Sequence, residues 1–332
     1  MVIQQHTINT PYMVGPVHCY TAERGSELIL FDTGPPTAAS RRYLAENIDL
    51  SRLKYIFMTH CHIDHYGLAS WLEKETGARI FIPYRDGLKM VAHEERLHDM
   101  YVVLQNLGFS GDYLDELHRS LADGRIFPDF PKKFSIVEDE MPRHLDIFFQ
   151  GCPGHSQSDI VYYTEDGTED SAEDNADHAE NWAVTGDVLL RGVFQSPLLD
   201  ADLETGERFK NYEAYCATLL KLAKLRGKQI CPGHRNNIDS VDDSLLFYVS
   251  KMLGRVRQLG EYGRHANVAE VIERLFADSV KEPFHVYLKA SEIIFMQDFL
   301  HHPELLRKSL VEINLFHQVE PLYTTAVSGQ GV

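Results

Sequence analysis

The chain has 332 residues, of which 44% are hydrophobic and 24% charged, an ordinary globular usage that excludes wholesale disorder, a fibrous repeat or a short disulfide-stapled module. Acidic residues outnumber basic ones by 49 to 32, and the formal net charge of -17 would repel a phosphate backbone, so a nucleic acid is not the expected partner. Cysteines 19, 61, 152, 216 and 231 form no CxxC pair, the amino terminus has no basic segment followed by an apolar run, and no apolar stretch reaches about 18 residues; a reduced, cytoplasmic protein without a membrane span is expected.

Glu27 to Phe31 (ELILF) reads as a short buried strand that ends in the turn Asp32-Thr33-Gly34-Pro35-Pro36. Lys54 to Thr59 is a second strand, running into a histidine-rich loop, and Leu68, Trp71 and Leu72 then recur at helical spacing before Gly77. Arg79 to Pro83 is a third strand, so the alternation predicts a layered α/β domain with functional loops at its strand ends. From about 84 to 128 the period becomes helical. Leu97, Tyr101, Leu104 and Leu107 line one face, and Leu114, Leu117 and Leu121 another; this insertion either packs its two helices together or roofs the site as a lid.

Strands resume at 145–149, 160–164 and 182–185. Residues 165–181, EDGTEDSAEDNADHAEN, are expected to form a solvated acidic loop. Phe209 to Leu225 is an amphipathic helix that leads to the strand KQIC, and from about 239 onward only helical stripes appear, the first being Leu245, Val249, Met252, Val256 and Leu259. The expected division is a catalytic domain over 1–238 and a carboxy-terminal helical region over 239–332.

The chemistry concentrates in Thr59-His60-Cys61-His62-Ile63-Asp64-His65-Tyr66-Gly67, where three histidines and an aspartate fall within six residues between a strand and a helix. In extended chain His60 and His62 point the same way and both imidazoles can reach one ion, while Cys61 points to the opposite face. Asp64 and His65, at the helix entry, can address a second ion. Three further fragments each present a histidine or carboxylate at the end of an apolar strand: Pro153-Gly154-His155, Gly186-Asp187 and Pro232-Gly233-His234.

On these motifs residues 12 to 238 resemble the metallo-beta-lactamase fold superfamily of metal-dependent hydrolases, and in particular its glyoxalase II, lactonase and ribonuclease branches; the stretch from Ala214 to Arg255 is similar to a branch of mitochondrial endoribonucleases and a quinolone-signal thioesterase. The resemblance implies an αββα sandwich carrying the helical insertion and the carboxy-terminal helices. It implies that His60, His62 and His155 hold one metal, that Asp64, His65 and His234 hold a second, and that Asp187 bridges them. Family members of the finer branch often read PGHG where this chain has Pro232-Gly233-His234-Arg235, and they often carry asparagine where this chain has His18, a position expected to be structural.

The expected activity is hydrolysis, by a hydroxide shared between two divalent ions, of a small ester, thioester or lactone, with Asp64 orienting the hydroxide and passing its proton to the leaving group. Imidazole and carboxylate ligands without thiolate suit Zn2+, though iron or manganese also fit. Tyr66, Tyr101, Phe109, Tyr113 and Arg235 are the candidate substrate contacts. One alternative is a phosphodiesterase or ribonuclease, which would need Lys251, Arg255, Arg257 and Arg264 to line a track to the metals; another is a metal-binding sensor with vestigial activity. A homodimer through the helical parts is a further expectation.

Overall fold

A computed structural model describes residues 1–122, 129–165, 181–260, 262–276, 280 and 282–328. The amino-terminal half builds one mixed sheet in the order β1-β2-β3-β4-β5-β6, from strands Ile3–Ile8 (β1), Val17–Arg24 (β2), Glu27–Phe31 (β3), Leu53–Phe57 (β4), Arg79–Ile82 (β5) and Ser135–Ile136 (β6). β1, β2 and β3 are antiparallel neighbours, and β3 through β6 are parallel. A second sheet has the order β10-β9-β8-β7, with Phe148–Gly151 (β7), Ile160–Tyr163 (β8), Trp182–Gly186 (β9) and Gln229–Pro232 (β10), in which only β9 and β10 are parallel.

Strand periodicity explains how the two sheets stack. In β3, Ile29 and Phe31 face the second sheet while Leu28 and Leu30 face helices, and β4 and β5 divide in the same way, with Tyr55, Phe57 and Phe81 on the inner side and Ile56, Ile80 and Ile82 on the outer. The second sheet answers with Ile160, Tyr162, Trp182, Val184 and Cys231 inward and Val161, Ala183 and Ile230 outward. Both faces of each sheet are therefore covered, which is why these strands read as continuous apolar runs instead of alternating ones. Trp182, Tyr162, Phe31 and Phe57 fill the space between the sheets, each burial contributing roughly 1.5–3 kcal/mol.

Helices Ala38–Asn47 (α1), Ile63–Tyr66 (α2) and Ala69–Thr76 (α3) accompany the first sheet, and Leu44, Leu68 and Leu72 pack on its outer face. Thr37 caps α1 by accepting the Ser40 N–H. The insertion forms Tyr84–Val91 (α4), His93–Asn106 (α5) and Gly111–Ala122 (α6), and Val137–Glu140 (α7) follows β6. The second sheet's outer face is covered by Asn211–Leu222 (α8), Val241–Leu259 (α9), Tyr262–His265 (α10), Val268–Phe276 (α11), Pro283–His301 (α12), Pro303–Glu312 (α13) and Phe316–Ser328 (α14). The layer order is thus αββα, with a helical carboxy terminus.

α12 is the hub of that helical layer. It is buried on most of its circumference through Tyr287, Ala290, Ile293, Phe295, Met296, Phe299 and Leu300, because α6, α8, α9, α11 and α13 all pack on it. One apolar core consequently runs from the insertion (Met100, Leu104, Leu114, Leu117) through the outer face of the second sheet to α14. All five cysteines are free and buried. Among the described residues no helix is long and apolar enough to cross a membrane. Most of the acidic stretch, residues 166–180, and residues 123–128 of the insertion lie outside the described residues.

Candidate metal centre

The sequence-predicted ligands arrive on the loops that follow β4, β7, β9 and β10. His60 follows β4, His62 is the residue before α2 and has extended backbone, and Asp64 and His65 belong to the first turn of that helix, so a short change from strand to helix aims four side chains at one region. Glycine makes the close approach possible. Gly186 has φ +50°, and a Cβ there would stand 2.6 Å from Thr59 Oγ1; a Cβ on Gly233 would stand 2.5 Å from Asp187 Oδ1 and 2.8 Å from His65 Cε1.

Three overlapping groups result, each with its ligand atoms within 4.8 Å of one another: His60, His62 and His155; His60, His65 and Asp187; and Asp64, His65 and His234. His62 Nδ1 lies 2.7 Å from His60 Nε2 and 3.1 Å from His155 Nε2. On the other side His234 Nε2 lies 3.3 Å from Asp64 Oδ2. Asp187 stands between the two sets, with Oδ1 3.5 Å from His65 Nε2 and Oδ2 3.7 Å from His155 Nε2 and 3.6 Å from His234 Nε2. All seven candidate ligands therefore meet in one place, and Asp187 occupies the bridging position. Cys61 belongs to none of these groups: it is buried, and its N–H donates to Asp86 Oδ2 at 2.7 Å.

The far nitrogen of four imidazoles is held by an acceptor. His155 Nδ1 donates to the Ser196 carbonyl at 2.9 Å, His234 Nδ1 to the Pro16 carbonyl at 2.7 Å, and His65 Nδ1 to Asp32 Oδ2 at 2.8 Å. Thr59 donates its hydroxyl to the same Asp32 oxygen at 2.8 Å and accepts from His60 Nδ1 at 3.1 Å. Each arrangement fixes the tautomer whose Nε2 lone pair faces the centre, as metal-ligating histidines require.

Electrostatics divides the centre in two. Burial, reinforced by neighbouring imidazoles, holds His60 and His62 well below the usual histidine range, and burial also lowers His155. Burial opposes charge on His65 and His234 too, but Asp187 with Asp32 and Asp64 outweighs it around His65, and Asp187 with Asp64 does so around His234, so both shift upward. The carboxylates respond in the opposite sense. Against the effect of burial, His234 and His65 hold Asp187 well down, and His65 and His234 lower Asp64. Asp32, Asp64 and Asp187 thus form a buried anionic focus that draws positive charge, which a cation would supply in place of protons.

The residues fit a divalent ion on a further count. His65 Nε2, His234 Nε2 and Asp187 Oδ1 are buried atoms without a hydrogen-bond partner among the described residues, each costing about 1–3 kcal/mol if left so. Nitrogen and oxygen donors in sets of three, joined by a carboxylate, suit Zn2+ and also iron or manganese.

Next to the centre lies a cavity of about 470 Å³, lined by His62, Asp64, His155 and Asp187 on one side. Tyr66 lines it as well, whereas Tyr101, Phe109, Tyr113 and Arg235 are not among its described lining residues. Phe109 stacks on Tyr113 at 4.8 Å within the helical core, the Tyr113 hydroxyl donates to the Pro283 carbonyl at 3.0 Å, and Tyr101 packs on the same core. Arg235 is exposed at φ +72°, and its carbonyl accepts from His18 Nε2 at 2.6 Å, so both residues tie β2 to the loop after β10. Of the aromatic residues expected to roof the site, Tyr113 ties the insertion to α12, and the cavity is lined from these two segments by Leu97, Met100, Tyr287 and Leu288.

Asp32, the hub of the histidine orientation, was legible only as the end of a strand and the start of a turn, although it has the same placement as Asp187, a carboxylate closing an apolar strand. The segment Pro11 to Val14, Lys89 and Arg96 also line the cavity and carried no sequence signal.

Comparisons with known proteins agree with this architecture. A sequence model described as the Metallo-beta-lactamase superfamily matches residues 12–168. The chain is 27% identical over 244 residues to the probable metallo-hydrolase YqjP of Bacillus subtilis, covering 70% of this chain and 72% of that protein. It is similar in fold to a metallo-beta-lactamase family protein of Thermus thermophilus, with 20% identity and a TM-score of 0.61 over 91% of this chain and 94% of that one. A beta-lactamase domain protein of Burkholderia ambifaria gives 16% identity and a TM-score of 0.66 over 90% and 86%. The family match over residues 12–168, these likenesses and the layer order αββα together make the chain similar to the metallo-beta-lactamase superfamily in sequence and in fold.

Proposed function

We propose that the protein is a metal-dependent hydrolase of small esters, thioesters or lactones, working with two divalent ions, of which Zn2+ best suits the donors. The observation that carries this reading is the convergence of five imidazoles and two carboxylates, three of whose buried polar atoms have no partner among the described residues. Divalent ions held there would lower the pKa of a bound water toward neutrality and polarise a substrate carbonyl.

The chain's own residues supply the rest. Asp64, kept ionised by His65 and His234, stands 3.3 Å from His234 Nε2 and can take a proton from the attacking water and return it to the leaving group. Asp32, Thr59, Ser196 and Pro16 keep the histidines oriented, so little reorganisation is needed when charge develops. A carbonyl substrate is favoured over a phosphodiester because the basic residues of α9 lie elsewhere. Lys251 and Arg255 border a separate hollow with Phe194 and Phe247, Arg255 is paired with Glu292 at 2.8 Å, and Arg257 is exposed. The Arg264 side chain is outside the described set.

The test is an initial-rate panel on zinc-reconstituted protein with an aryl ester, an acyl thioester, a lactone and bis-(p-nitrophenyl) phosphate, with Asp187→Ala as control. Carbonyl turnover that disappears in the variant supports the proposal. Turnover of the phosphodiester alone, or of none of the four, overturns it.

A further inference from the structure

The geometry points to an acyl group with an uncharged, apolar chain of medium length as the substrate portion seated in the cavity beside the metal centre, an inference that rests on the hydrolase reading and adds the class of acid. The cavity volume of about 470 Å³ falls within the usual range of about 300–1,000 Å³ for small-molecule sites. Besides His62, Asp64, His155 and Asp187, it is lined by Leu97 and Met100 of α5, Tyr287 and Leu288 of α12, and Leu198 and Leu203 between β9 and α8. At its rim Met13, Val14 and Phe284 are 73%, 43% and 38% exposed while lining the same cavity. Single exposed apolar residues are ordinary, but three bordering one cavity form an apolar entrance.

Two cations of the wall, both partly buried, are already matched. Arg96 donates through Nε at 3.0 Å and Nη2 at 2.9 Å to Asp200 Oδ2, which also accepts from Gln157 Nε2 at 3.1 Å. Lys89 Nζ donates to the Cys61 carbonyl at 3.2 Å and lies 3.8 Å from Asp86 Oδ1. Two cations face two carboxylates, so a charged tail would find no unmatched partner in these pairs and would lose its hydration without return from them. Among the buried hydroxyls that line the cavity, that of Tyr66, on a residue 2% exposed, has no hydrogen-bond partner among the described residues and suits a substrate oxygen.

The test is a series of p-nitrophenyl esters from acetate to decanoate on the zinc-loaded full chain, with calorimetric titration of the corresponding free alkanoates. Burial of each methylene predicts kcat/KM and alkanoate affinity rising about 3- to 4-fold per carbon until the chain outgrows the cavity. Met100→Trp and Leu97→Trp, either of which fills the wall, should lower the octanoate-to-acetate ratio of kcat/KM at least 10-fold; two variants guard against one that does not fold. Hydrolysis with a flat chain-length profile, or a profile that both filling variants leave unchanged, overturns the acyl-chain assignment and leaves the hydrolase reading intact. If no ester is turned over, the substrate panel above decides the hydrolase reading and the titration alone decides the cavity: chain-length-dependent binding supports the apolar site and its absence overturns it.

Discussion

Asp32→Asn tests whether orientation from behind the ligands matters. Residue 32 has φ +58°, a left-handed conformation that asparagine tolerates, so the exchange leaves the turn in place. Its carboxylate accepts three donors, the Thr59 N–H at Oδ1 and the Thr59 hydroxyl and His65 Nδ1–H at Oδ2, each at 2.8 Å. An amide offers one oxygen. If that oxygen stays on the Thr59 N–H, the new NH2 group faces His65 Nδ1, the imidazole adopts the other tautomer, and an N–H points into the centre where a lone pair was. A hydrogen bond to a charged group contributes about 1.5–3 kcal/mol, and loss of such an outer partner typically weakens metal affinity about 10- to 100-fold, which is about 1.4–2.8 kcal/mol. The two magnitudes agree. Competition against a chromophoric chelator should show one of two zinc equivalents weakened by that factor, with Thr59→Val giving a smaller loss because only His60 then loses its acceptor. Two equivalents bound by Asp32→Asn at wild-type affinity would refute the reasoning.

Metal binding should be proton-linked. His65 and His234 are shifted upward and must be deprotonated to act as ligands, so affinity falls as pH drops, with the onset above pH 6.5; calorimetry in buffers of different ionisation enthalpy should report protons released near neutral pH, and constant affinity between pH 6 and 8 would refute this. Asp159, buried beneath the Ser156 N–H and hydroxyl, has its pKa pushed up to about 8 by burial. Because the folded state holds that proton more tightly than the unfolded chain, its stabilising contribution is complete below pH 3.8 and is lost as pH rises through 8, so Asp159→Asn should flatten the dependence of Tm on pH over that window. Gly233→Ala should weaken metal binding at least 10-fold, since the new methyl would meet Asp187 and His65, and an equilibrium-dialysis constant equal to wild type would count against the close packing described. Chelation should lower thermal stability, by about 2.7 kcal/mol for each metal site when the wild type is measured at 100 times that site's Kd, with differential scanning calorimetry as the readout.

The inner strands were legible because both of their faces are buried: ELILF and WAVT are apolar at every position and end in turn residues, and β3 and β9 occupy those segments. β1 was not, since Gln4, Gln5 and Thr7 alternate with Ile3, His6 and Ile8 at a sheet edge and dilute the apolar signal. β7 begins later than expected because Arg143 to Leu145 form a tight helical turn with Asp146 left-handed, a backbone choice with no strong residue signature. The stripe from Leu245 to Leu259 is buried as its period required, and the helices continue through α14 to Ser328. Within the centre, residue type and strand-end position brought forward all seven residues that converge. The cavity wall stayed hidden, because Met100 and Leu97 have the same period as Tyr101 and Leu104 and only the docking of α12 decides which of them face the hollow.

Every candidate ligand precedes residue 235, whereas the cavity wall joins Leu97 and Met100 of α5 to Tyr287 and Leu288 of α12, residues more than 180 positions apart in the chain. During synthesis the ligand set is complete while α12 has yet to be made, so the cavity depends on a segment that leaves the ribosome after every candidate ligand. Selectivity is in this sense a late acquisition of each molecule. It is also separable in descent: changes in α12 can remodel what the chamber admits without touching a residue that faces the metals.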